Sequence, residues 1–251
     1  MLRCFYTAGT GMLAQRDRMD VLANNLTNVE TTGYKSDTLI TGSFRDMMIE
    51  RLNDPGAGTN RTVGALGTGT HIDRVVTTFE QGSVEQTNRP LDFALNGDGF
   101  FVIDTPQGER YTRDGSFAVN SGGYLVTSEG WDVRGENGRI QVGSDDFTVD
   151  GTGNVTNADG ESIAKLRIVS FDDFAGLRKE GGNLYVNAGA GAVRNIPETM
   201  VIQYSLEASN VDVAEEMTRM LTVSRAYQTN QRVFGMLDSS LEKAVNEVGR
   251  V

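Results

Sequence analysis

The chain has 251 residues and a formal net charge of −11. It is long enough to bury a real core in one or two domains without covalent staples. Its acidity, with no clustered Lys and Arg, excludes a nucleic-acid or anionic-membrane surface, both of which need cations to displace counterions.

The first element is helical. Phe5, Met12, Met19 and Leu26 recur every seven residues, and Ala8, Gln15, Leu22 and Val29 follow three behind each, which predicts an apolar seam over residues 3–29. The N-terminus is too polar and too short for a signal-peptide core, and no apolar run is long enough to span a bilayer, so membrane insertion is not expected. The single Cys4 has no partner for an internal disulfide.

After that seam Asn and Thr accumulate, and Gly33 sits where a helix ends in the left-handed conformation. Residues 36–51 are expected to be extended first and briefly helical later, and residues 53–69 carry the Gly, Pro, Asn and Thr chemistry of a loop. That loop is expected to be a connector without a core of its own, ordered by a partner. Residues 71–79 read as a strand and 81–84 as a turn.

From Pro90 the chain shows short strands punctuated by Gly, at 91–95, 100–103, 111–117, 124–127, 131–133, 139–142, 147–149, 154–156, 165–170 and 184–186. Such spacing predicts a compact antiparallel β domain, barrel-like or sandwich-like. Residues 200–207 supply a return strand.

The last element is a long helix. Val213, Met220, Tyr227, Phe234, Leu241 and Val248 recur at sevens, and Met217, Leu221, Val223, Leu237, Ala244 and Val245 widen the stripe. Asp212 and Glu215 fit a capping box and no Pro interrupts, so the helix is expected to run roughly 36 residues, or about 54 Å. Ser224, Gln231 and Asp238 are polar companions, so the seam is narrow and suits several neighbours. Two readings stand: a helical hairpin closing one globule, or two stripes that are interfaces between subunits.

The inventory for chemistry is thin. His71 is the one histidine, so no second His shares a metal or completes a relay. The Gly64–Gly69 and Gly189–Gly191 runs lack the strand, helix and acidic partner of a phosphate loop. Asp150 to Glu161 has Val155 where a calcium loop needs Gly, and reads as two hairpin turns. No catalytic, cofactor or metal residue is expected, and the chain reads as a non-enzyme.

Three stretches carry a resemblance. Leu22-Ala-Asn-Asn-Leu-Thr-Asn-Val-Glu-Thr-Thr-Gly-Tyr-Lys35 resembles the N-terminal signature of the bacterial flagellar rod and hook proteins, through Asn24, Asn25, Asn28, Gly33, Tyr34 and Lys35. Pro90, Leu91, Asp92, Gly97, Gly99, Phe100 and Phe101, with Tyr111-Thr-Arg-Asp-Gly115, resemble the central motif. Leu206-Glu-Ala-Ser-Asn-Val-Asp-Val-Ala-Glu-Glu-Met217 resembles the C-terminal signature, through Ser209, Asn210, Val211, Glu216 and Met217. The blocks stand in family order over nearly the whole chain. Length and the short connector are similar to a rod subunit, and Arg225-Ala-Tyr227 resembles the distal more than the proximal branch. Cys4 departs from the family, which more often has Gly there.

The resemblance implies a structural subunit of the flagellar rod, self-assembling into a helical tube that transmits torque from motor to hook. The implied fold is α+β: long terminal helices forming a coiled-coil layer, an extended connector, and an inner antiparallel β domain, nested and discontinuous. The divisions expected are 1–35, 36–89, 90–193, 194–208 and 209–251. Implied partners are further copies of the chain, other rod and hook subunits, and rod-surrounding bushing rings in a cell with an outer membrane. The implied location is the basal body outside the cytoplasm, reached by type III export without a cleaved leader. Phe5, Met12, Met19, Leu22, Leu26, Val29, Val213, Met217, Met220, Tyr227, Phe234, Leu241, Val245 and Val248 are the expected subunit-interface residues. The competing class is a secreted or surface β-domain binding protein or hydrolase with a helical dimerisation stalk, where Trp131 or Tyr124 stacks on sugar.

Overall fold

A computed structural model describes residues 2–51, 61–143, 147–157, 160–195 and 199–248. It is α+β, with an N-terminal helix α1 (Leu2–Thr27), a C-terminal helix α2 (Val213–Lys243) and antiparallel strands between them. Contacts divide it into two compact units, one of Met1–Leu26, Asp37–Val76 and Val213–Val251, the other of Thr27–Ser36 and Thr77–Asp212.

In the first unit α1 and α2 run in opposite directions. Phe5 near the start of α1 meets Phe234 late in α2, edge to face at 4.9 Å, while Leu22 and Val223 line one cleft. Asp37–Ser43 pairs with Thr70–Thr77, and Met47–Arg51 pairs antiparallel with Arg61–Leu66. Three expectations are corrected here. The stretch expected to turn helical before residue 51 is a strand, and residues 61–66, expected as loop, are its partner, because in-register pairing of Met47 with Leu66 and Met48 with Ala65 outweighs the local preference of Gly64. The intervening residues 53–60 of that expected loop lie outside the described residues. α1 stops at Thr27 rather than Val29, and α2 is α-helical for 31 residues before widening into a π-helical turn, Ala244–Val248.

The second unit centres on Phe100–Thr105. This strand pairs along one edge with Gly108–Thr112 and shares its other edge between Asp132–Gly135 and Ile168–Phe171. It is the middle of a ten-stranded sheet among the described residues. Alternation sends Phe101 and Ile103 to one face and Phe100 and Val102 to the other. Both faces are covered, so the run Phe100-Phe-Val-Ile103 is apolar throughout rather than alternating. One core gathers Phe93, Leu95, Phe101, Phe117, Leu125 and Val201, the other Phe100, Tyr111, Phe171 and Tyr185. Two strands late in the chain complete this unit: Met200–Gln203 pairs with Phe93–Asn96, and Ser205–Glu207 with Val84–Gln86, part of which had read as turn. The expected strand at 139–142 shrinks to Gly138–Arg139, although Ile140 is fully buried.

Candidate functional site

The sequence motifs converge in the second unit on a buried ion cluster. The Lys35 side chain is 0% exposed, as is that of Glu207, and they form an ion pair across 172 residues of sequence. Lys35 Nζ also donates to Glu80 O at 2.7 Å. Glu207 Oε1 accepts from the Gly82 amide at 3.0 Å, and Oε2 accepts from Arg113 at 3.3 Å. Burial pushes the Lys35 ammonium below its ordinary pKa, and the Glu207 carboxylate opposes that shift. The Arg113 guanidinium lies over the Phe100 ring at 5.2 Å, which ties the cluster to the second core.

Backbone groups close the same junction. Gly33 N donates to Glu207 O at 2.7 Å, and Asn210 Oδ1 accepts from Ser36 N at 2.7 Å while its Nδ2 donates to Thr78 O at 2.9 Å. The Lys179 ammonium sits 4.0 Å from the Tyr34 ring centroid and donates to Lys35 O. Gly33 has φ 64°, and a Cβ there would stand 2.4 Å from the Arg113 carbonyl carbon. Gly33→Ala therefore combines a left-handed backbone with a clash against main chain, and is expected to lower stability by about 2 kcal/mol or more. Urea denaturation followed by Trp131 fluorescence measures this, and a midpoint equal to wild type would remove Gly33 from the junction.

The other motif residues also serve the fold. Asn25 copies a strand partner in the first unit, donating to Asp37 O at 2.8 Å and accepting from Asp37 N at 2.9 Å. Asn28 O receives the Thr31 amide in the turn after α1, whereas Asn24 is exposed. Half-buried Pro90 precedes buried Leu91 and Asp92, and Asp92 lies 3.6 Å from Arg89. Gly97 and Gly99 make the turn into Phe100 and Phe101. Ser209 Oγ accepts from Val211 N just ahead of α2, and buried Glu216 in its first turn accepts from Arg219 at 3.1 Å. Sequence reasoning quoted Glu207 and Arg113 inside motifs without singling them out. The available signal was Lys35 itself, a cation within a buried run that requires an anion.

The expected interface residues fall into groups. Leu22 is buried inside the chain, while Phe5, Met12, Met19, Leu26, Val29, Met220, Tyr227 and Leu241 are half-buried. Val213, Met217, Phe234 and Val245 are exposed; the Val248 side chain lies outside the described residues. More open than most of these are Tyr6, Leu13, Leu221 and Met236, which the heptad reading left off its list of interfaces.

Elsewhere the candidate chemistry resolves into structure. His71 is exposed and packs on Phe44 with ring centroids 5.2 Å apart. Asp150 Oδ1 accepts from Thr152 Oγ1, Thr152 N and Asn154 N in a hairpin turn, and these bonds, led by the Thr152 hydroxyl, hold its carboxyl below the usual range. Trp131 packs at the edge of the first core and donates to Glu129 at 3.0 Å. Among the described residues no group of three or more His, Cys, Asp or Glu is placed to hold a metal ion.

Three family models match the chain: the flagella basal body rod protein over residues 5–35, the flagellar hook protein FlgE/F/G D1 domain over 94–157, and the flagellar basal body rod FlgEFG protein C-terminal region over 202–247. The chain is similar to the flagellar basal-body rod protein FlgG of Borreliella burgdorferi, at 37% identity over 98% of both chains. It is 33% identical to the FlgG of Bacillus subtilis, over 98% of this chain and 99% of that one. It is 31% identical to the flagellar hook-basal body complex protein FlhO of the same organism, over 100% of each.

Proposed function

Since the chain belongs to the flagellar basal-body rod protein family, and is a structural subunit of the basal body that assembles with other rod and hook subunits rather than an enzyme, we propose that it polymerises into a helical tube transmitting torque from motor to hook. In this reading the terminal helices (1–35 and 209–251) form a coiled-coil layer around a central channel, and residues 36–89 join neighbouring copies. The β domain, 90–193 with its return strand at 194–208, faces outward. The Arg225–Tyr227 run favours the distal part of the rod, bushing rings surround it where an outer membrane exists, and the subunit arrives outside the cytoplasm by type III export.

The observation that carries this reading is the second half of α2. Almost every side chain from 231 to 243 is exposed, including Val233, Phe234 and Met236 at 41%, 38% and 63%. A few helical turns uncovered on all sides are marginal in water, so they need a neighbour. Electron microscopy of the concentrated protein is expected to show tubes or short rods; a ligand-binding monomer would sink the reading. In dilute monomer, amides of residues 231–243 are expected to exchange within seconds, while those of 100–105 exchange at the rate of global unfolding. Strong protection of 231–243 in a confirmed monomer would mean that the helix needs no partner.

A further inference from the structure

An open groove of about 730 Å³ lies in the first unit beside the start of α1, lined by Phe5, Tyr6, Leu13 and Met47 with Arg3 at its rim. Tyr6 is 56% exposed, Leu13 53% and Met47 52%, so the walls are apolar and open to solvent. At the other end of the antiparallel helix pair, Val213, Met217 and Leu221 stand one turn apart on a single face of α2, and Met217 and Leu221 are 50% and 62% exposed. We propose that this ridge seats in the groove of a second copy of the chain, a contact that rests on the self-assembly reading and gives it a specific address.

Geometry and charge select this occupant. The groove lies beside Phe5, which meets Phe234, and Leu221 is 13 residues earlier in α2, about 20 Å along the helix. Ridge and groove of one chain are therefore kept apart, and each is free for another copy. Contact between unlike patches leaves a free groove at one end and a free ridge at the other, so it propagates through successive copies. Among the described lining residues Arg3 is the one formal charge. The ridge rises from a helix turn that carries Glu215 and Glu216 against the single cation Arg219, which leaves it acidic and complementary to Arg3.

Two exposed substitutions test the contact. Leu13→Lys places a cation in the groove and Leu221→Glu an anion on the ridge, and far-UV circular dichroism and thermal midpoint are expected to match wild type because both sites are on the monomer surface. Each variant alone is expected to lose at least about tenfold of the pelletable fraction at a concentration where wild type sediments. An equimolar mixture is expected to return within about twofold of wild type, since in an alternating polymer every contact is either native or a Lys–Glu match. The contact is overturned if either variant alone pellets like wild type, or if the mixture stays as soluble as its components. Wild-type chain that stays monomeric throughout overturns the self-assembly reading, and this contact with it. Wild type that pellets together with both variants overturns the contact alone.

Discussion

Glu207→Ala is expected to lower the stability of the second unit by about 3–5 kcal/mol, a large share of what a domain of this size has. The carboxylate it removes is fully buried and receives Lys35, the Gly82 amide and Arg113. Without it two cations remain in one dry site, and neither reaches bulk water. The reverse change, Lys35→Met, is expected to cost less, because Glu207 keeps Arg113 and the Gly82 amide, and the thioether fills the space of the lost stem. Urea titrations of both variants measure the order. A Glu207→Ala loss under about 1 kcal/mol, or a Lys35→Met loss larger than that of Glu207→Ala, would show that the cluster is solvated and not a lock.

The cluster explains how the second unit is joined from remote segments. Residues 27–36, 80–82, 113 and 207–210 have little local drive to meet, and loop-closure entropy opposes bringing them together. A buried ion pair adds modest net stability but discriminates strongly against wrong pairings, since any other register strands a charge. Gly33 and Asn210 fix the backbone beside it, so the segment after α1 has one place to go.

Periodicity made the helices and most strands legible, because stripes at 3.6 and alternation at 2 are local properties of the chain. The partners of Lys35 were not legible, since nothing near residue 35 specifies an anion 172 residues away. The Arg61–Leu66 strand was hidden for a related reason: Gly64 and Gly67 look like loop, and pairing with Met47–Arg51 decides the matter. Heptad spacing misled in a different way. On a straight α-helix a seven-residue repeat drifts about 20° per heptad, or about 80° from Val213 to Leu241. Val213 is accordingly exposed while Leu241 is half-buried, so one stripe in sequence becomes two faces in structure.

Phe234 stands where those faces meet, and Phe234→Asp is expected to abolish assembly while leaving the second unit folded. In the monomer the change removes the edge-to-face contact with Phe5 at 4.9 Å, worth about 0.5–1.5 kcal/mol beyond its area. The aspartate can still turn toward water there, because the Phe234 position is 38% exposed. A neighbour that covers the position removes that escape, and an unpaired carboxylate then costs several kcal/mol in every repeat of the lattice. A penalty paid at each subunit shifts the concentration needed for polymerisation by orders of magnitude. Phe234→Leu keeps the apolar surface and is expected to assemble, which separates the charge from the loss of the ring. Sedimentation, electron microscopy and swimming of cells carrying each variant give the answer. Phe234→Asp subunits that still form tubes and support rotation would mean that this face of α2 stays open to solvent in the rod, and the interface would then have to be sought on the faces bearing Leu221 and Met236.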